Sequence, residues 1–365
     1  MKHKNTQETR GIGRRRFLQG AGGVLLGMGF GVPSILRAAE KAGEGELIAG
    51  AKKEGKLVGF GASSIEDVQP LLDAFMKAYP FVNAVYTEVS GSKGRERMRM
   101  EYEQGQRRVD FFEADSLNFG LLEPTGMFAP VIKEIPNIRR IPAEYYDETS
   151  VAFYIDDNGM AYNTKLVTKE DAPRTYRDLL RPRWKGKKLA IDVDPGGSKT
   201  TQWFGLLTHP QVTPNPPYTV DFFRELAKQD LFVQEGHTLL TKMLGAGEFH
   251  VFVNNTRGSV VRQTKKGAPI LFQPPEDAVA LYVARLGIIN GAPHPSAARL
   301  FINWFLTPEA SSILAKKRDS RVANPKAHQG YEFPRGVRVI MDSPRIAQFY
   351  AEINRQWKEI WTGRG

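Results

Sequence analysis

The sequence predicts an α/β protein made of two similar lobes, each with a mostly parallel sheet flanked by helices. Short apolar strands alternate with amphipathic helices along most of the chain, which is typical of parallel sheets. The chain leaves the first unit near residue 160, begins a second series of strands and helices, and returns to the first unit near residue 281. We therefore expect it to cross between the lobes twice. The length of 365 residues also favours two domains.

The first lobe is predicted to be discontinuous, with residues 45–160 plus 281–365, and the second lobe to span 161–280. The elements of the first lobe follow in order, each strand ending at a serine or Asp-Ser turn and each helix having apolar residues at helical spacing. They are a helix over 46–54, strands over 56–62, 82–89 and 109–112, and helices over 65–79 and 93–104. Residues 117–160 are less regular.

The second lobe repeats the alternation. Strands are predicted over 189–193, 249–253 and 270–272, and helices over 176–180, 199–207, 220–229, 238–244 and 260–266. The chain then returns through 278–289. One long amphipathic helix over 297–317 and a last helix over 346–360 complete the predicted elements.

Polar residues follow all three strands of the first lobe. They are Ser63 and Ser64, then Ser90 and Ser92, then Asp115 and Ser116. In open α/β sheets a ligand binds beyond the carboxyl ends of the strands, where helix N-termini offer free N–H groups. Helix capping is the alternative role of each serine, and it is compatible with ligand contact.

The first 39 residues predict an export leader. The run Gly13-Arg14-Arg15-Arg16-Phe17-Leu18-Gln19 precedes a Gly-rich apolar segment over 20–32, which is typical of a twin-arginine signal peptide. The apolar segment is too short for a stable spanning helix, which needs ~20 apolar residues. A basic disordered tail is the alternative interpretation, and cleavage is expected between residues 39 and 43.

The leader changes the meaning of the net charge of +11. It has seven basic residues and one acidic residue, so +6 belongs to the leader and +5 to the rest. A mildly basic soluble protein fits an anionic ligand better than nucleic acid, and no nucleic-acid partner is predicted. The chain has no cysteine, which excludes disulfides and thiolate ligands.

Several motifs in a fixed order carry a resemblance to a known family. They are Phe75-Met76-Lys77-Ala78-Tyr79-Pro80, Ala161-Tyr162-Asn163-Thr164-Lys165, the run from Thr175 to Lys187, Gly245-Ala246-Gly247-Glu248, Lys266-Gly267-Ala268-Pro269 and the run from Gly291 to Phe301. Together they resemble periplasmic solute-binding proteins of ABC transporters, in the branch with ferric-ion, aminoethylphosphonate, thiamine and polyamine binders. The resemblance implies a two-lobe periplasmic-binding-protein fold (type II) whose cleft closes by a hinge around its ligand.

The resemblance also bears on the ligand. Ferric binders of the family place a His near Ser63, a carboxylate near Asp115 and two tyrosines after Asn255. Here the His position holds serine, and the tyrosine positions hold Thr256 and Arg257. A guanidinium would repel ferric iron, so iron held in that way is disfavoured.

The family's anion position matches Gly197, Ser198, Asn254 and Asn255. Together with Arg257 these residues suit a carboxylate, phosphonate or phosphate, and Asp115 could take an amine. We therefore expect a small anionic or zwitterionic organic solute as ligand. A solvent-exposed helix-start role is the alternative for Arg257.

The predicted function is the periplasmic capture of this solute for an ABC permease and its ATPase, without enzymatic turnover and without a cofactor. Two alternatives stay open: a ferric-iron or other metal-binding periplasmic protein, and a periplasmic enzyme on the same fold. The six histidines form no His-x-x-x-His or His-Glu-x-x-His pair, and no Gly-x-Ser-x-Gly is present.

Overall fold

The computed structural model describes residues 32–89, 91–194, 198–333 and 335–361, with the backbone alone for 32–42 and 91–93. Most of the predicted export leader lies outside these residues. Residues Glu40–Gly365 form one compact unit, apart from Met1–Ala39. Among the described helices, none has the length and apolar character that a membrane crossing requires.

The helices of the described residues lie mostly where the sequence predicts them. They are α1 (Val32–Glu54), α2 (Ile65–Ala78), α3 (Gly91–Glu103), α4 (Ser116–Leu122), α5 (Ser198–Thr208), α6 (Val220–Ala227), α7 (His237–Ala246), α8 (Arg257–Lys265), α9 (Pro295–Phe305), α10 (Pro308–Arg318) and α11 (Tyr350–Trp361). Short 3₁₀ turns connect several of them, including Tyr176–Leu180 and Pro344–Phe349.

The strands form one sheet in the order β2-β1-β3-β9-β4-β7-β5-β6, with β10 beside β9 and β8 beside β4. They are β1 (Lys56–Gly61), β2 (Asn83–Glu88), β3 (Phe111–Asp115), β4 (Val151–Asn163), β5 (Leu189–Asp192), β6 (Phe232–Gln234), β7 (Val251–Thr256), β8 (Ile270–Gln273), β9 (Ala278–Ile288) and β10 (Arg338–Ile340).

The sheet has two parallel halves joined by two antiparallel strands. In the first half β1 pairs in parallel with β2 and β3, and in the second half β5 pairs in parallel with β6 and β7. The long strands β4 and β9 pair with each other, β9 also pairs with β3, and β4 also pairs with β7. The predicted fold class and its two strand crossings are therefore confirmed.

Each half has its own apolar core. In the first, Phe75 of α2 and Phe301 of α9 pack edge to face, with ring centroids 5.2 Å apart. In the second, Trp203 of α5 and Phe223 of α6 pack around Trp357 of α11. The C-terminal helix thus contacts elements of the predicted second lobe, while the predicted lobe boundaries themselves stay predictions.

Two sequence-based elements are wrong. The single helix predicted over 297–317 is two helices, because Thr307 accepts a hydrogen bond from the Ala310 N–H and caps α10, and Pro308 occupies its first position. The irregular region predicted up to residue 160 contains most of β4, which is buried over all its length.

Candidate functional site

A polar cleft of about 480 Å³ lies beyond the carboxyl ends of the strands, within the size range of small-molecule sites. Both halves of the sheet contribute to its walls. From the first half and the crossing strands come Ala62, Ser63, Ser64, Glu66, Glu88, Asp115, Asn118, Tyr154, Tyr282 and Arg318. From the second half come Asp192, Asp194, Ser198, Lys199, Thr200, Gly236, His237, Thr238, Leu239, Lys242, Ser259, Arg262, Gln263 and Lys266.

Two of the predicted serines, Ser63 and Ser64, lie in this cleft after β1. The Ser64 hydroxyl accepts a hydrogen bond from the Glu66 N–H at 3.3 Å and caps α2. The Ser63 N–H donates to Glu113 Oε2 at 2.7 Å, and its Oγ lies 3.3 Å from Tyr154 Oη. Both serines thus have structural partners and also line the cleft, which agrees with the expectation that capping and ligand contact are compatible.

A hydrogen bond between Asp115 and Ser198 connects the two halves across the cleft. Ser198 Oγ at the start of α5 donates to Asp115 Oδ2 at 2.6 Å. Asp115 also accepts from the N–H and the amide of Asn118, at 2.9 and 2.8 Å, so it caps α4. The structure therefore brings together two residues that the sequence placed in the site.

Arginines form part of the cleft wall where α2, α8 and α10 meet. Arg262 Nη1 donates to Asp67 Oδ2 at 2.7 Å, and Arg318 donates to both Asp67 and Asp156. The Arg318 guanidinium lies 3.8 Å from the ring centroid of Tyr154. Two buried carboxylates thus balance two arginines at this end of the cleft.

Lys199 is the third cation at this end. Its Nζ lies 5.2 Å from the ring centroid of Tyr282 and has no hydrogen-bond or ion-pair partner within the described part of the chain. Burial, and then the charges of Arg318 and Arg262, lower the pKa of Lys199. Asp156 and Asp115 oppose this lowering, so the ammonium group lies among charges of both signs but has no ion pair of its own.

The start of α7 forms another part of the wall. Gly236 occupies the position before the helix with φ of 108° and supplies no side-chain cap. Its N–H donates to Asp192 Oδ1 at 3.3 Å, and Asp192 Oδ2 lies 3.8 Å from His237 Nδ1. Burial raises the pKa of Asp192 to about 6 and lowers that of His237 well below its usual value.

Arg257 does not line the cleft, contrary to the prediction. Its Nε and Nη2 donate to the two oxygens of Asp157 at 2.8 and 2.9 Å, and its guanidinium lies 4.1 Å from the ring centroid of Tyr331. Arg262 follows five residues later on α8, so the two side chains differ by roughly 140° around the helix. This rotation brings Arg262, and not Arg257, into the cleft.

Asn254 and Asn255 also lie outside the cleft lining. The prediction ended β7 at residue 253, whereas the strand continues to Thr256, so both asparagines are strand residues. Asn254 exchanges two 3.0 Å hydrogen bonds with the backbone of Asp192 in β5, and Asn255 lies within hydrogen-bond distance of the Thr241 hydroxyl in α7. Their amides hold neighbouring elements together.

Ser116 is buried away from the cleft. Its hydroxyl donates to the Val283 carbonyl at 3.4 Å and accepts from Arg285 Nε at 3.3 Å. Three further predicted residues cannot be placed: Ser90 and Gly197 lie outside the described residues, and for Ser92 only the backbone is described.

The main residues that the sequence analysis missed are the cleft cations and the residues at the start of α7. Lys199 adjoins the predicted Ser198, so the helix start after β5 is a signal that could have revealed it. Arg318 has no such signal, because it lies at the end of α10, far along the chain from the strand ends. The search for metal sites finds no group of three or more His, Asp or Glu side chains placed to hold an ion within the part of the chain that the structure describes.

The sequence model of one protein family, described as "Bacterial extracellular solute-binding protein", matches residues 113–339. The chain belongs to this family. An uncharacterised protein of Haemophilus influenzae is 24% identical over 287 residues, which cover 74% of this chain and 78% of that protein.

Solved structures of solute-binding proteins share the fold. The periplasmic binding protein AfuA of Actinobacillus pleuropneumoniae, solved with fructose-6-phosphate bound, has a TM-score of 0.70 at 19% identity, covering 84% of this chain and 99% of AfuA. The substrate-binding protein of an ABC transporter from Agrobacterium tumefaciens has a TM-score of 0.71 at 14% identity, covering 85% and 96%. The solute-binding protein described here therefore has the two-lobe periplasmic-binding-protein fold, and such proteins work with permease and ATPase subunits.

Proposed function

We propose that this solute-binding protein captures a small anionic or zwitterionic organic solute in the cleft and delivers it unchanged to an ABC permease. The observation that carries the proposal is Lys199, a cation in the cleft wall with no ion-pair partner among the described residues, since the nearby Asp115 and Asp156 bond to Ser198 and Arg318. The acidic lining residues Asp115 and Asp192 supply acceptors for hydroxyl or amino groups of the same solute. AfuA, whose structure holds fructose-6-phosphate, supports an anionic ligand.

Hinge closure is part of the proposal. The lobes would rotate about β4 and β9, the two strands that pair with both halves of the sheet. The Asp115–Ser198 hydrogen bond would then form as the walls approach each other, and it would break on opening.

A thermal-shift panel tests the ligand class. The full chain is heated with organic acids, phosphorylated compounds, amines, zwitterions, neutral sugars and ferric salts, and each hit is confirmed by calorimetry. A ligand at a hundredfold excess over its Kd adds ~2.7 kcal/mol of stability. An anionic or zwitterionic hit is expected; stabilisation by ferric salts alone, or by no compound, contradicts the proposal.

The absence of turnover is tested on the same hits. After incubation, the bound compound is released by denaturation and its NMR spectrum is compared with that of the starting material. We expect identical spectra, and a converted product would favour the enzyme alternative.

We further propose that residues 1–39 direct export to the periplasm by the twin-arginine pathway. The double substitution of Arg14→Lys and Arg15→Lys keeps the charge and changes the pair. Cell fractionation should find the variant in the cytoplasm and the unchanged chain in the periplasm. Equal export of both would contradict this route.

A further inference from the structure

The cation cluster and the start of α7 suggest which chemical class of anion the cleft takes. We propose that a phosphate-type group, as a phosphate monoester or a phosphonate, binds at a subsite formed by Lys199, Arg262 and residues 237–239. This inference rests on the proposed function, because it specifies the solute of the same cleft. The subsite differs from the anion position that the family resemblance implied, which consists of Gly197, Ser198, Asn254 and Asn255.

The first observation is the arrangement of charge. Asp67 accepts from both Arg262 and Arg318, and Asp156 accepts from Arg318, whereas no carboxylate in the described chain pairs with Lys199. The two arginines lie close enough to Lys199 to lower its pKa. Asp156 and Asp115 act on Lys199 electrostatically but form no ion pair with it, so a bound anion beside Lys199 would supply the directly paired counter-charge.

The second observation is the exposed first turn of α7. The N–H groups of His237, Thr238 and Leu239 have no acceptor in the described structure, and Gly236 offers no side chain to cap them. All these residues line the cleft. The helix has ten residues, and its free N–H groups and dipole favour a negative charge at this end.

The third observation is a buried polar atom without a partner on the cleft wall. The Arg318 side chain is only 6% exposed, and its Nε has no hydrogen-bond partner in the described part of the molecule. Buried donors are normally satisfied, so this N–H would be completed by a group that the ligand supplies.

The number of donors favours phosphate over carboxylate. The backbone N–H groups of residues 237–239, the Lys199 ammonium and the remaining N–H groups of Arg262 belong to residues that line the same cleft, whereas a carboxylate offers two oxygens with about four acceptor positions. A phosphate-type group offers three strong acceptor oxygens and up to two charges. The cleft volume of about 480 Å³ leaves room for an organic remainder beside Asp192.

The test compares ligands that have similar organic parts and different anionic groups. Calorimetry and thermal shift at pH 7.5 and constant ionic strength use glucose 6-phosphate against glucuronate, 2-aminoethylphosphonate against 3-aminopropionate, and inorganic phosphate against acetate. We expect the phosphorus-containing member to bind at least tenfold more tightly in at least one organic pair. The three pairs separate a phosphate ester, a phosphonate and the free ion as the source of the group.

Variants locate the subsite. Lys199→Met should weaken binding of the preferred phosphorus compound at least tenfold, and Lys199→Arg should restore most of it. Lys228→Met is the control, because Lys228 lies outside the cleft lining and pairs with Glu225 at 2.6 Å; its effect should stay within threefold. Lys199→Met should also raise the Tm of the ligand-free protein, since it removes an unpaired cation, and this gain shows that the variant folds.

Each outcome decides the inference separately from the proposed function. If the carboxylate binds as tightly as its phosphorus counterpart in both organic pairs, or if Lys199→Met and Lys228→Met weaken binding equally, the subsite is wrong while the protein remains a solute binder. If none of the three phosphorus compounds binds at millimolar concentration, the subsite is also wrong. The proposed function fails only if the broader panel finds no anionic or zwitterionic ligand.

Discussion

Arg257 shows how a residue type can be suited to a ligand and still have a structural role. Its guanidinium forms a bidentate pair with Asp157, a carboxylate that is fully buried in β4. Burial raises the pKa of Asp157, and the bond to Arg257 opposes that rise. The pair therefore keeps an ionised strand residue compatible with the interior.

Arg257→Ala tests this role. The substitution leaves the Asp157 carboxylate buried without its partner, so we expect the free energy of unfolding to fall by about 3–5 kcal/mol in urea titrations. The affinity of the folded variant for the cleft ligand should stay unchanged in calorimetry. The double variant with Asp157→Asn should recover part of the lost free energy of unfolding. A large loss of affinity in Arg257→Ala without a loss of stability would instead mean that Arg257 contacts the ligand.

Asp192 makes stability depend on pH. Burial raises its pKa to about 6 in the folded protein, above the ordinary value of 3.8, so folding favours its protonated form. The contribution of protonated Asp192 to the free energy of unfolding is present at low pH and is lost as the pH rises through 6. Asp192→Asn should therefore raise the Tm of the ligand-free protein at pH 7.5, by the equivalent of about 1–3 kcal/mol, and have less effect at pH 4.5.

A matched control has the opposite pKa shift. The pKa of Asp171 is lowered by its hydrogen bond to the exposed Arg183, so Asp171→Asn should give no gain that grows with pH. Thermal melts of both variants across pH 4.5–8 are compared with the unchanged chain. Equal pH profiles for the two variants would contradict the role given to Asp192.

At the scale of elements, the sequence located the regular strands and helices well and failed where tertiary partners decide. β4 contains Asp156, Asp157 and Asn158, three polar residues in the stretch predicted to be less regular. In the structure Arg318 and Arg257 neutralise the two aspartates, and these arginines come from α10 and α8. No local pattern indicates partners so distant along the chain.

Helix α4 contacts the 3₁₀ turn Pro344–Phe349 through Gly120. A Cβ on Gly120 would lie 2.1 Å from the Pro344 carbonyl oxygen and 2.6 Å from Ala347 Cβ, so the backbones must separate to accept it. Gly120→Ala should lower the free energy of unfolding by about 1–3 kcal/mol in urea titrations.

Gly45→Ala is the control for this substitution. Gly45 lies in α1, and a Cβ there would meet no atom within 4 Å. The change should leave stability unchanged or raise it by about 0.5–1 kcal/mol, because alanine favours the helix. A similar loss in both variants would mean that close packing at Gly120 is not the cause.

At the scale of the whole molecule, polar contacts cross the cleft between the halves. Besides the Asp115–Ser198 hydrogen bond, Arg262 of α8 pairs with Asp67 of α2, and Lys266 pairs with Glu66. The Lys266 pair is exposed and contributes little by itself. The buried contacts are the ones expected to favour approach of the two walls.

Ser198→Ala tests the coupling between this contact and binding. Loss of the hydrogen bond to Asp115 should lower the affinity for the cleft ligand about tenfold, since bonds to charged groups contribute about 1.5–3 kcal/mol. Small-angle scattering of the ligand-free variant should show a larger radius of gyration. Ser116→Ala removes a neighbouring hydroxyl that bonds to Val283 and Arg285, away from the cleft, and its affinity should be unchanged. Equal losses in both variants would contradict the coupling.

Local sequence patterns were sufficient for the alternation of strands and helices, the two crossings, and the positions of Ser63, Ser64 and Asp115 at the cleft, whereas Ser198 was implied by the family resemblance. These features depend on periodicity and on strand ends, which neighbouring residues encode. Tertiary structure alone decided that Arg257 turns to Asp157, that β4 is a buried strand, and that Arg262 and Arg318 meet beside Lys199. The physical reason is that the position of a buried charged side chain depends on the partners that folding brings close to it. Those partners are distant in sequence, so neighbouring residues do not indicate which they are.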